Sequence, residues 1–442
     1  MKCRPTYDGN EHRQSPGEGN CVISDFILRR PMTRGGREFD VVVDKMVYGG
    51  EVMGRLPDGR AVFVPYALPG ESVRTALVEE KRGFARGKLL EVVTPSPQRI
   101  APRCRHFTVC GGCHYQHIPY EIQVQAKTEI LKDQLMRIGK LEDPPVQPAI
   151  PSPSPWNYRN HIQFHLDGAG KLGFLAPRSN HVIPIEECHL PEEPLNALWP
   201  QLDIEPLPDL LRVGLRLGTD DEVMLVLESS TDEAFDFSVD FPIAAVQLGP
   251  EKVHILSDSF FLERIVLDRA FRVSAESFFQ VNTPMATAMV EHLLEHLPLT
   301  PETTLLEVYC GVGLFGAFFA PKIGRLIGIE ISPSAVNDFT ANLDEFENVE
   351  VYEAPAEEAL PKLEIEVDLV VVDPPRTGLA RPVLDAILQL NPTVLAYVSC
   401  DPATLARDAE RITKGGYSLK QVTPFDLFPQ TYHIESISIW ER

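Results

Sequence analysis

The chain has 442 residues, of which 44% are hydrophobic and 24% charged. That composition belongs to a folded multi-domain protein and excludes a disordered, collagen-like or small disulfide-stapled chain. No apolar run approaches the roughly 18 residues of a membrane span, and the best, Leu369–Val372, stops at Asp373. The first residues, MKCRPTYDGNEHRQ, lack the apolar core of a secretory signal, so a cytoplasmic location without membrane contact is expected. The net charge of -22 is unevenly spread, with +5 on residues 1–118 and -27 on the rest. A basic front end on an acidic body can still bind a polyanion locally, although solubility alone would also account for the acidity.

Residues 1–36 are polar, rich in Gly and Pro and aperiodic. They read as a flexible leader without assigned function, or, up to Met32, as a misassigned start. Residues 37–95 hold short alternating apolar runs between Gly-containing turns, which predicts four or five strands closed into a small OB-like barrel. Around Gly83, the residues Lys81, Arg82, Phe84, Arg86 and Lys88 combine cations with a ring, as a bound RNA strand would require. A charged hairpin tip is the alternative.

Residues 96–275 are expected to form a central α/β domain. It begins with Cys104, Cys110 and Cys113, spaced C-x5-C-x2-C, and Cys188 is a distant fourth. In a reducing compartment such cysteines read as metal ligands, and their spacing leaves zinc and an iron–sulfur cluster both open. Arg103, Arg105, His106, His114, Tyr115 and His117 flank them, so the cluster could brace an RNA-facing surface. Ile122, Ala126, Ile130, Leu131, Leu135 and Ile138 predict an amphipathic helix over 119–140, and the Pro-rich stretch 144–155 predicts a rigid connector. The pattern of 156–275 defines no topology.

Residues 276–442 predict a doubly wound, Rossmann-like α/β domain. Thr283 and Pro284 read as N-cap and first-turn proline of its opening helix. Seven strand-like runs follow, LLEVYC, LIGIEI, VEVYEA, DLVVVD, VLAYVSC, LKQVTPF and ESISIWE, with helical segments between the first five. Seven strands ending in a short-looped pair fit the methyltransferase form of this sheet, with its last strand antiparallel.

Chemistry collects at the strand ends, where ligands bind in open α/β sheets. Gly311, Gly313 and Gly316 follow Tyr309 and allow close approach of a ligand, while Glu330 ends the next strand as a ribose acceptor. That set supports a nucleoside-type cofactor without separating NAD from S-adenosylmethionine. Asp373 opens the stiff segment DPPR. Cys400 ends the fifth strand ahead of Asp401 and Pro402, which start a helix whose N-terminus favours a thiolate while the Asp401 charge opposes it. Glu435, at the start of the last strand, could face the same edge and accept a proton.

Taken together in order, VFVPYALPGE, C-x5-C-x2-C with Cys188, YRNHIQF, SFFQVN, VYCGVG, DPPRTG, YVSCDPATLARD and HIES resemble the RNA uridine-5-methyltransferases, specifically the bacterial 23S rRNA (uracil-5-)-methyltransferase group. The resemblance covers nearly everything after residue 36. It implies a TRAM domain at 37–95, a [4Fe–4S] cluster on Cys104, Cys110, Cys113 and Cys188, and S-adenosylmethionine as methyl donor. Cys400 matches the cysteine that attacks uracil C6, and Glu435 the base that removes the C5 proton. Gln280, Tyr309, Glu330 and Asp373 match cofactor-binding positions, beside Gly311 and Gly313. RNA is the implied partner, 23S rRNA rather than tRNA, and no protein partner is implied. Glu307, Leu314 and Asp401 depart from the common pattern, where Asp, a polar residue and Asn are frequent. A redox enzyme using NAD(P)H and the cluster, and a noncatalytic RNA binder, are the alternatives from other classes.

Overall fold

The computed structural model describes residues 36–205, 207–236, 243–257 and 259–442. Apart from Gly36, the expected leader lies outside the described residues. Strands β1 (Glu38–Val47), β2 (Glu51–Arg55), β3 (Ala61–Pro65), β4 (Ser72–Glu80) and β5 (Phe84–Thr94) close into a barrel in the order β1-β2-β3-β5-β4. Alternation does this: in β3, Val62 and Val64 point into the core and their neighbours out. The basic patch is less free than its sequence suggests. Arg86 pairs with Glu51, and Phe84 stands against Phe63 at 6.0 Å between ring centroids. Lys81, Arg82 and Lys88 stay exposed.

Helix α1 (Tyr120–Arg137) follows the cysteine segment. Its apolar residues divide between two cores, Ala126 and Ile130 joining the barrel, Leu131 and Leu135 the C-terminal domain. The buried face also carries Gln123, Lys127 and Gln134, which apolar periodicity does not reveal. The Pro-rich stretch is more than a connector, because Val146 and Ile150 form parallel bridges to Val422 and Phe425.

The central domain, whose topology the sequence left undrawn, contains β6 (His161–Leu166), β7 (Leu172–Leu175), β8 (Val182–Pro184), α2 (Glu193–Leu198), β9 (Leu210–Leu217), β10 (Val223–Ser229), β11 (Ala244–Leu248) and β12 (Val253–Ile255). These seven strands form one sheet in the order β12-β11-β10-β9-β6-β7-β8. The hairpin β13 (Phe261–Val266) and β14 (Arg269–Ser274) then leads into the last domain.

That domain opens with α3 (Thr283–His296), whose N-cap is Asn282, not Thr283; the Asn282 side chain accepts from the Met285 N–H at 3.4 Å. There follow β15 (Thr304–Val308), α4 (Gly316–Phe319), β16 (Arg325–Glu330), α5 (Pro333–Asn342), β17 (Val349–Glu353), α6 (Ala356–Ala359), β18 (Leu369–Val372), α7 (Arg381–Leu390), β19 (Val394–Ser399), α8 (Pro402–Lys414), β20 (Ser418–Phe425) and β21 (Glu435–Glu441). All seven expected strands are present, in the order β17-β16-β15-β18-β19-β21-β20, and β21 runs antiparallel to both neighbours. Both faces are covered. Leu369 and Val371 enter one core, Val370 and Val372 the other.

One polar contact lies wholly inside. Lys127 Nζ donates to Asp426 Oδ1 at 2.5 Å and to the Phe428 carbonyl at 3.0 Å, and both ionic side chains are at most 1% exposed. Leaving either charge unpaired in this place costs about 3–5 kcal/mol. The Lys127→Met variant is therefore expected to unfold at a clearly lower urea concentration than the wild type, and Lys127→Met/Asp426→Leu to recover most of the loss.

Candidate active site

The carboxyl edge of the C-terminal sheet gathers most of the residues singled out above. Tyr309 follows β15 with φ 64°, and Gly311 and Gly313 have φ 53° and 85°. This is the left-handed region, which glycine enters without strain and Tyr309 only at some cost. A Cβ at Gly313 would lie 2.5 Å from Leu343, so packing as well as φ demands glycine there. At Gly311 a Cβ would meet nothing within 4 Å, which leaves an open cradle beside the backbone. Glu330 closes this turn. Its carboxylate accepts N–H groups of Gly311 at 3.0 Å, Ile331 at 2.8 Å and Ser332 at 2.9 Å. Tyr309 and Glu330 line a cavity of about 450 Å³ together with Ile331, Ala356, Pro375 and Arg407.

Asp373 ends β18, next to β15 in the sheet. Burial, then the charge of Glu330, push its carboxyl up to about 7. Gln280 reaches the domain by another route, on the loop after β14. Its carbonyl accepts from Asn160 Nδ2 at 2.9 Å. The loop is fastened to α5 by Ser277, whose hydroxyl donates to Asp338 at 2.6 Å.

Cys400 and Glu435 are brought together by register. In the antiparallel β19–β21 ladder the last pair is Ser399↔Ser436, and one step further along each strand stand Cys400 and Glu435. Cys400 is half-buried. Burial, then the charges of Glu435, Asp373 and Asp401, push its thiol up to about 12, while Arg376 pulls the other way. Glu435 is buried, with one carboxylate oxygen free of a hydrogen-bond partner among the described residues. Burial first, and Asp373 second, hold its carboxyl well above the usual range. Asp401 caps α8 as expected, its Oδ1 accepting from Ala403 and Thr404, each at 2.9 Å. The result is a dry, acidic edge with a thiol and an unpartnered carboxyl side by side, suited to nucleophilic addition and proton removal.

Glu307 belongs to this edge, although the sequence marked it only as a departure from pattern. It is buried below Asp373, and burial and the Asp373 charge push it up to about 8. Two further residues touch the segments that carry Cys400 and Glu435 without being marked by any motif: Tyr48, whose hydroxyl donates to Asp401 Oδ2 at 2.8 Å, and Gln430, whose carbonyl accepts from the N–H groups of His114 and Tyr115.

The four cysteines are assembled as well. Cys104, Cys110, Cys113 and Cys188, all free thiols, line one cavity of about 310 Å³ with Arg159 and His161. Backbone N–H groups of His106 and Gly112 reach the sulfurs of Cys104 and Cys110, each at 3.4 Å. Among the described residues no three His, Cys, Asp or Glu side chains are grouped to hold a single metal ion. No helix among them is long and apolar enough to cross a membrane.

Comparison with known proteins adds the following. The family model for tRNA (uracil-5-)-methyltransferase matches residues 250–442, and that for the TRAM domain residues 33–90. An uncharacterized RNA methyltransferase of Thermosynechococcus vestitus is 33% identical over 91% of this chain and 98% of its own length. One of Aquifex aeolicus is 35% identical over the same shares. Among solved structures, the Pyrococcus abyssi tRNA (uracil-54, C5)-methyltransferase in complex with S-adenosyl-L-homocysteine has a TM-score of 0.69 at 23% identity, covering 91% of this chain and 100% of its own, which shows a shared fold.

The raised carboxyls have a stability consequence. Glu307 is protonated in the folded protein at pH values where it is ionised in the unfolded chain. Its stabilising neutral form is fully present below the usual glutamate range and is lost as pH rises through about 8. The melting temperature of the wild type relative to Glu307→Gln is therefore expected to fall from about pH 5 to about pH 8.5, as read by parallel thermal scans.

Proposed function

Because the chain belongs to the RNA (uracil-5-)-methyltransferase family, we propose that it methylates C5 of a uridine in RNA with Cys400 as nucleophile and Glu435 as base. The observation that carries this reading is the ladder register that sets those two side chains against each other on the buried edge shared with Asp373. Uracil C5 is too weak a nucleophile to take a methyl group unaided, so a covalent step is needed. Cys400 adds to C6 as its thiolate, the thiol proton having passed to water, and the C5–C6 electron pair moves into the C4 carbonyl as an enolate with C5 nucleophilic. S-adenosylmethionine, when bound, would supply C5 with an electrophilic methyl group, the methyl–sulfur electron pair leaving with the thioether product, and a positive charge that offsets the carboxylates around Cys400. Glu435 then takes the C5 proton onto its unpartnered oxygen, the C5–C6 double bond re-forms, and the C6–S bond breaks with its electrons returning to Cys400. A carboxylate held in a dry site is a stronger base than one in water, which suits this role.

Tyr309, Gly311, Gly313 and Glu330, with Gln280 and Asp373, are the residues proposed to hold the methyl donor. The open cradle at Gly311 and the cavity lined by Tyr309 and Glu330 support this. The target base must leave any stack to reach Cys400, so a loop uridine or a flipped one is implied. The substrate proposed is 23S rRNA, on the combination of the TRAM barrel with the four-cysteine cavity. The assay below tests it against tRNA.

Release of tritium from [5-3H]uridine in rRNA and tRNA that lack the modification is expected to depend on S-adenosylmethionine and to occur with rRNA. Cys400→Ala is expected to lose this release by more than about a thousandfold while still binding RNA. Glu435→Gln is expected to accumulate a denaturation-resistant protein–RNA adduct, because addition proceeds and elimination does not. Normal release by Cys400→Ala would overturn the mechanism, and release from tRNA alone would reassign the substrate.

The cysteine cavity is proposed to hold a [4Fe–4S] cluster. Four thiols on one cavity, with backbone N–H groups directed at two of the sulfurs, form a donor set such a cluster accepts. Burial raises the thiols of Cys104, Cys110, Cys113 and Cys188 alike, Cys110 to about 11, and a metal centre would be what stabilises them as thiolates. Protein purified without oxygen is expected to contain iron and inorganic sulfide in equal amounts and to lose both in Cys113→Ser. Stoichiometric zinc without iron would overturn this assignment.

A further inference from the structure

The barrel reaches the neighbours of both proposed catalytic residues. On one side Ile434, which precedes Glu435, is 1% exposed and belongs to the barrel core. On the other, Tyr48 in the turn between β1 and β2 donates its hydroxyl to Asp401 Oδ2 at 2.8 Å, across 353 positions of sequence. Asp401 directly follows Cys400. Its Oδ1 is committed to the α8 cap, and its main chain is closed onto Ser399. The Ser399 hydroxyl donates to the Asp401 carbonyl at 3.1 Å, and the Asp401 N–H to Ser399 Oγ at 3.3 Å. Cys400 is thus the middle residue of a short closed segment whose carboxylate is fixed at one oxygen by a helix and at the other by the barrel.

The turn that carries Tyr48 is seated independently of its hydroxyl. The Tyr48 ring stands edge-on to Tyr432 at 5.7 Å and 86°. Gly50, with φ 81°, lets the chain pass so close that a Cβ would lie 3.1 Å from Tyr432 and 3.2 Å from His114. Removing the hydroxyl alone should therefore leave the turn in place.

We propose that Tyr48 is a positioning residue for Cys400, its phenol holding the second oxygen of Asp401 and drawing on its charge, so that nucleophile reactivity depends on barrel seating. This rests on Cys400 being the nucleophile. The charged groups facing Cys400 are Glu435, Asp373 and Asp401 on one side of the balance and Arg376 on the other. Tyr48 itself faces Asp401, Tyr432 and Cys400 and is held above the usual phenol range, first by burial and then by Asp401. It remains a neutral donor throughout the working range. A hydrogen bond to a carboxylate is stronger than one between neutral groups and disperses the charge of its acceptor. Without it, more of the Asp401 charge opposes the Cys400 thiolate.

The test is alkylation of Cys400 by iodoacetamide in the full chain, with its metal content intact and no RNA present, read by peptide mass mapping across pH. Tyr48→Phe is expected to slow alkylation at least about threefold at a fixed pH and to move its rise to higher pH. Asp401→Asn keeps a side chain that caps helices equally well but carries no charge. In that background Tyr48→Phe is expected to change the rate by less than about twofold. An unchanged profile in Tyr48→Phe, or an equal shift in both backgrounds, would overturn the proposal. Because no turnover is required, a protein that shows the expected alkylation pattern but releases no tritium from RNA would refute the uridine reading and leave this one standing.

Discussion

Glu435 reaches Cys400 from near the C-terminus, and what brings it there is the nine-residue segment before it, six of whose residues are buried. Asp426 begins that segment with a carboxylate removed from water, and a bare charge there would be prohibitive without Lys127. Ile434 ends it with a side chain inside the barrel core. Both anchors come from elsewhere in the chain, one from α1 and one from the N-terminal barrel. A segment fixed at both ends by dry contacts has few alternative paths, and the register Ser399↔Ser436 follows from where those ends are held. The proposed catalytic pairing is local to the C-terminal sheet, but the constraint that produces it extends to the first strands.

The same edge is electrostatically costly in the free protein. Glu307 and Glu435 are buried, each within range of the half-buried Asp373, and Glu330 adds its charge to Glu307 and Asp373. Each carboxyl is shifted toward its neutral form because the site is dry and its neighbours have the same sign. Such an arrangement is poor for stability and suitable for a cation, since one positive charge entering the edge relaxes several unfavourable interactions at once. Glu307, one methylene longer than the common Asp, contributes most quietly. It sits under the ligand-facing layer, near Gly316, and acts on the edge through Asp373.

Much of this was legible before any coordinates. The seven strands of the last domain read clearly because a parallel sheet covered on both faces needs unbroken apolar runs such as Leu369–Val372, and the barrel strands because one solvated face enforces alternation. The strand-end residues were legible because the fold puts ligands there. The central sheet was not, since its strands are interrupted by irregular segments and no single period dominates. Thr283 was misplaced by one position because Asn282 is an equally good cap, and only the backbone shows which residue leaves the helix. Lys127 and Gln123 were invisible because polar residues on an apolar face look like errors until their partners, more than 290 positions away, are known. In the basic patch the pairing of Arg86 is illegible for a similar reason, since Glu51, which neutralises it, lies on a different strand. The G-x-G-x-x-G run spoke equally for a nicotinamide cofactor, and the antiparallel seventh strand together with the relatives is what favours methyl transfer.

The place of the cysteine loop follows from the same geometry. Transfer of a methyl group to an enolate moves no net electrons, so nothing in the proposed reaction asks for a redox centre. Yet the residues directly after Cys113 meet the segment that leads to Glu435. The N–H groups of His114 and Tyr115 both donate to the Gln430 carbonyl, at 2.8 and 3.0 Å, and the Gln430 N–H donates to Gln123 Oε1 at 3.0 Å. Gln430 has φ 67°, a conformation a glutamine keeps only when its surroundings impose it. Four thiols, those of this loop and of Cys188, face one cavity, and the proposed cluster would tie them together and so stiffen the loop. Its stiffness then sets where the chain turns five residues before Glu435. On this reasoning the proposed cluster would serve as a brace, through its rigidity rather than its potential.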